Sequence, residues 1–76
     1  MPRLFERVRL IVGGYESEGA SIGMLGYVIE VYPDDRYEVE FSDSATGETV
    51  AQIVAAGAHL EVVPEGDQSQ TTTWAT

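Results

Sequence analysis

Gly23-Met-Leu-Gly26-Tyr-Val28-Ile-Glu-Val31-Tyr32, then Pro33-Asp-Asp-Arg36 and Tyr37-Glu-Val39-Glu-Phe41, is the stretch whose reading decides the fold. Tyr37, Val39 and Phe41 alternate with Glu38 and Glu40, the two-residue period of a strand with one face on a core and the other in water. Pro33 presets the first central position of a tight turn, so the two apolar stretches form an antiparallel hairpin entered through a glycine-punctuated loop. Tyr27, Val28, Ile29 and Val31 break strict alternation, which predicts a bulge or burial on both faces.

Upstream, Val8, Leu10 and Val12 alternate with Arg7, Arg9 and Ile11 in a first strand from about Phe5 to Val12. Gly13-Gly14 ends it, and the segment from there to Leu25 reads as a long, mobile, irregular loop. The second strand is Tyr27 to Tyr32 and the third Tyr37 to Phe41. Ser42 to Glu48 is a polar hairpin loop with Gly47 where a positive φ is needed. In the fourth strand, Thr49 to Val54, Ala51 and Ile53 share one face and Val50 and Val54 the other, leaving the inward side open. Ala55 to His59 reads as a turn with one turn of 3-10 helix, and the fifth strand, Leu60 to Val63, is stopped by Pro64. The expected core is Val8, Leu10, Val28, Val31, Val39, Phe41, Ile53 and Leu60. Residues 1–64 then form one domain, and 65–76 a polar tail, expected to be disordered, with Trp74 its one anchor-type residue.

Composition narrows the function classes. A chain of 76 residues is one domain, and at this size it buries only about 60% of the surface its unfolded form exposes, so it offers a surface rather than a deep pocket. That favours a binding module over an enzyme. Thirteen acidic residues against four basic ones, with no Lys, give a net charge of −9; such a chain repels nucleic acid, whose binding depends on Lys and Arg at phosphates. No direct nucleic-acid binding is expected. Arg3, Arg7 and Arg9 cluster at the first strand, and Arg36 stands in the turn.

With no Cys and a single His, neither a disulfide framework nor a metal site is expected, and His59 reads as a hydrogen-bonding turn residue. The glycine loop opens onto a strand without a Lys, so it does not cradle phosphate. No catalytic, cofactor-binding or metal residues are therefore assigned. No apolar run approaches the ~20 residues of a membrane span, and the N-terminal stretch lacks the apolar centre of a signal peptide, so a cytoplasmic location is expected.

What remains is a surface for a partner protein. Glu38, Glu40 and Asp43, with Glu30, read as an acidic strip able to grip a basic partner. Tyr15, in the loop, and Tyr32, at a strand end, are the candidate aromatic anchors. Edge strands leave homo-oligomerisation open.

Five short strands, a long first loop and a short 3-10 turn before the last strand resemble an SH3-like barrel, an all-β fold. Val8-x-Leu10, the glycine loop and Gly23-x-x-Gly26-x-Val28-x-x-Val31 resemble the KOW motif of ribosomal and transcription-elongation proteins. That resemblance implies contact with RNA or protein, although the Lys and Arg usual around the motif are missing here. An accessory domain of the ribosome or of RNA-processing machinery is the function it implies.

Over Phe5 to Val63, five blocks in order are similar to a bacterial domain-of-unknown-function family, number 4926. They are Phe5-x-x-Val8-x-Leu10, Gly23 to Tyr32, Tyr37 to Phe41, Gly47-x-Thr49-x-Ala51 and Leu60-Glu-x-Val63. The resemblance implies a stand-alone small protein, and because some members look to be encoded beside toxin-like partners, it implies an antitoxin-like or immunity-like role.

Overall fold

The computed structural model describes residues 2–43 and 45–64. Strands β1 (Arg7–Leu10), β2 (Leu25–Tyr32), β3 (Arg36–Ser42), β4 (Thr49–Ala56) and β5 (Leu60–Val62) are joined by loops holding two 3-10 turns, Glu16–Glu18 and Gly57–His59. All five strands lie in one antiparallel sheet of order β4-β3-β2-β1-β5. The all-β, five-stranded architecture agrees with the sequence reading. Closure does not follow: β4 and β5 are the two ends of the sheet, no ladder joins them among the described residues, and the barrel is only loosely formed.

The alternation that predicts the strands also builds the core. Val8 and Leu10 of β1, Val28 of β2, Tyr37, Val39 and Phe41 of β3, Ile53 of β4 and Leu60 of β5 form one buried cluster, to which the first loop adds Ala20. One sheet can enclose one core only by curling over it. Gly26 permits that curl where β2 runs between Val8 and Phe41. A Cβ there would lie 2.6 Å from Glu40 O and 2.8 Å from Phe41 Cδ1, so only hydrogen fits beneath the Phe41 ring.

Several expected boundaries move. Phe5 is a turn residue at φ 68° and 71% exposed, so β1 begins at Arg7. β2 begins earlier, at Leu25, and β4 continues through Ala55 and Ala56 before the 3-10 turn. The face left open in β4 resolves in favour of Ala51, Ile53 and Ala55, which are buried.

Val31 is the core residue that the structure corrects. A bulge between Val28 and Glu30 inserts Ile29, after which Val31 lies opposite the buried Tyr37, yet it is 43% exposed. β1 pairs with only Leu25 to Tyr27 of β2, so the far end of the hairpin projects past the strands that would cover it. The disordered-tail reading, Trp74 included, lies outside the described residues.

Candidate partner-binding face

Register fixes which side chains share the outer surface. Glu30 lies opposite Glu38 and Tyr27 opposite Glu40 across β2–β3, while Glu38 faces Val54 and Glu40 faces Gln52 across β3–β4. Successive side chains alternate between faces, so these six point away from the core. Glu30 and Glu38 are therefore like charges in direct cross-strand opposition, an arrangement that weakens a sheet.

Hydrogen bonds hold Glu38 in place. The Tyr32 hydroxyl donates to its Oε1 at 2.5 Å and the Gln52 Nε2 donates to its Oε2 at 2.6 Å. These two donors hold the Glu38 carboxyl below its ordinary value, with partial desolvation opposing them. The same bond pushes the Tyr32 phenol up, aided by desolvation and by the charges of Glu38 and Glu30, against a smaller opposing effect of Arg36. Glu40 accepts from Thr49 Oγ1 at 2.7 Å. The Arg36 guanidinium turns away to Asp34 at 3.0 Å, which holds the Asp34 carboxyl low.

Of the residues singled out from sequence, Tyr32, Glu38 and Glu40 come together on this face. Asp43 does not join them. It opens the β3–β4 loop, where its Oδ1 accepts from the backbone N–H of Ala45 at 2.7 Å and of Thr46 at 3.2 Å. Tyr15 is also elsewhere, half-buried against the core, its ring edge-on to His59 and its hydroxyl 2.9 Å from His59 Nδ1. The first loop is pinned at that point to the turn before β5, and His59 is the hydrogen-bonding turn residue the sequence suggests.

Sequence reasoning missed Gln52 and Tyr27. Recognising Ala51, Ile53 and Ala55 as the buried face of β4 would have put Gln52 beside the glutamates, and the alternation of Tyr27 with Gly26 and Val28 would have put its ring outside. Next to this face, an open groove of about 610 Å³ carries Arg7 and Asp43 among apolar Met24, Leu25, Tyr27 and Val50. Among the described residues no cluster of His, Cys, Asp and Glu is arranged to hold a metal ion, and no helix is long and apolar enough to cross a membrane.

The model of a domain of unknown function, DUF4926, matches residues 4–62, which span every strand and the glutamate-bearing hairpin. The chain belongs to this family. The match begins before β1 and ends with β5, so the DUF4926 unit is the whole curled sheet, and residues of the acidic face lie at its middle. No curated protein and no solved structure matches the chain significantly.

Proposed function

We propose that this DUF4926 chain is a small SH3-like protein-interaction module of the bacterial cytoplasm, whose outer sheet face receives a basic surface of a partner protein. The observation that carries the reading is the direct opposition of Glu30 and Glu38 on β2 and β3, with Glu40 and the 46% exposed Tyr27 in the next row. A partner's Lys or Arg placed over that row would relieve the repulsion between the two carboxylates, while the tyrosine ring supplies apolar contact. Tyr32 and Gln52 keep Glu38 oriented without neutralising it.

The net charge of −9 draws a cationic partner in from a distance, raising the association rate. Neutralisation of a toxin-like partner by occlusion, in the manner of an antitoxin or immunity protein, is the most concrete form of the proposal. Capture of partners from the native cell, followed by binding assays at low and high salt, tests it. A captured protein should bind more weakly at high salt and lose affinity to the Glu30→Lys, Glu40→Lys double variant. Recovery of RNA without protein, or a complex indifferent to salt and to charge reversal, overturns it.

A further inference from the structure

β4, Thr49-Val-Ala-Gln-Ile-Val-Ala-Ala56, is the long open edge of the sheet and the only one of the five strands without a charged residue. Sheet edges are ordinarily protected by short length, charge or proline. β5, the opposite edge, has three residues and carries Glu61. β4 has eight residues and no such device, and Val50 and Val54 are exposed on it.

The backbone shows which part of the edge is available. The Gly57 N–H donates to Asp35 O at 2.9 Å, at the end of a regular ladder running from Arg36–Ala56 to Phe41–Ala51. Ala55, Ile53 and Ala51 therefore turn their N–H and C=O toward β3, and Ala56, Val54 and Gln52 turn theirs to the open side. No backbone or side-chain partner reaches those groups among the described residues. At the start of the strand the first loop comes close, since a Cβ on Gly19 would lie 3.0 Å from Val50 O. The open segment is Gln52 to Ala56.

We infer that two copies of the chain pair β4 against β4, antiparallel, about a two-fold axis through Val54. In this register Val54 faces Val54 of the second copy and Gln52 faces Ala56, so every edge-directed N–H and C=O of the segment finds a mate. A second copy is the occupant this register fits, because antiparallel pairing about the two-fold makes the segment its own complement, and charge at this edge does not oppose the pairing. Two chains of net charge −9 can meet closely only where no carboxylate is pressed against another, and β4 is the strand that meets this condition. The outward carboxylates of the adjoining strand, Glu38 and Glu40 on β3, would stand three strand spacings from their counterparts. That is about 14 Å, beyond the screening length of roughly 8 Å at physiological salt. The pairing merges two sheets into one and does not depend on what the acidic face binds.

Sedimentation or light scattering over a concentration series tests the inference on the full chain. The chain, of 8.3 kDa, should rise to twice that mass as concentration increases. Val54→Lys and Val54→Glu should each remain monomeric, because each sets like charges facing across the axis, and an equimolar mixture of the two should restore the doubled mass. In the unaltered chain the Gln52, Val54 and Ala56 amides should exchange more slowly with deuterium as concentration rises, a readout independent of whether the variants fold. A chain monomeric throughout, fast exchange of those amides at high concentration, or a dimer untouched by folded Val54 variants overturns the inference. A monomer whose edge amides are protected only by a captured protein would assign the edge to that protein's extended segment instead.

Discussion

The Tyr37 hydroxyl donates to Asp35 Oδ1 at 2.7 Å, two residues back across the tight turn, and Asp35 itself sits at φ 59° while its carbonyl accepts from Gly57. A residue chosen for a left-handed turn thus also satisfies the one polar atom of a ring that is 1% exposed. It ties the β2–β3 turn to the connection before β5 as well.

Replacing Asp35 should separate these roles. Asn tolerates the left-handed region and keeps an acceptor, so Asp35→Asn should change stability little. Asp35→Ala should cost about 1–2 kcal/mol for the backbone alone, plus the loss of the Tyr37 partner. Urea denaturation of the two variants checks this, and equal losses would show that the turn conformation is immaterial.

Gly26 lies under the Phe41 ring with no room for a Cβ between them. Phe41→Ala should cost about 3–5 kcal/mol, a large share of a small domain's stability. Gly26→Ala should cost about 1–3 kcal/mol by forcing the ring and the Glu40 carbonyl aside. The two losses should add only in part, because a smaller residue at 41 removes the ring contact with the new methyl while the contact with the Glu40 carbonyl remains; a double-mutant cycle measures the coupling.

Stability should fall in acid for an identifiable reason. Glu38, held by Tyr32 and Gln52, and Asp34, held by Arg36, both have pKa values lowered by folding. Each stabilises the fold above its unfolded value, and that contribution disappears as pH drops through the lower folded value. Tyr32 and Tyr37 are raised, mainly by their bonds to Glu38 and Asp35, so their contribution is complete below the ordinary phenol value of 10.0 and is lost as pH climbs through the folded value. The fold should therefore be most stable between the carboxylate and phenol ranges. In Tyr32→Phe, the NMR titration midpoint of Glu38 should move up toward 4.5, its ordinary value.

Loss of the Tyr15–His59 bond should loosen the first loop without unfolding the sheet. In Tyr15→Phe, amides pinned around the first 3-10 turn, such as Glu18 and Gly19, should exchange faster while Val39 in the core stays protected. Equal acceleration at both would mean that the loop and the sheet open together.

The strands were legible because their period is two and because β3 has the clearest pattern, Tyr-Glu-Val-Glu-Phe, from which the neighbours take their register. Where the pattern was blurred the reading blurred with it. β4 carries apolar residues on both faces, so its inward side waited for the partner strand, and Gln52 was lost to the face it belongs to. Val31 was read as core because an apolar residue on the inner face is normally covered, and sequence does not show that β1 stops short of it. Tyr15 and Asp43 looked available because loops usually are. Their contacts, to His59 and to the backbone of Ala45 and Thr46, depend on how the chain returns, which no local pattern carries.

The extra residue at Ile29 gives β2 an unusual tolerance to change in length. Losing one residue from a strand ordinarily turns every following side chain from inside to outside. At Ile29 the strand already holds one residue more than its neighbour, with Val28 opposite Val39 on one side and Glu30 opposite Glu38 on the other. A deletion there removes the surplus and leaves both halves facing as before, whereas a deletion at Glu38 or Val39 exchanges core for surface. A chain shortened by that one residue would therefore still place Glu30 and Glu38 side by side.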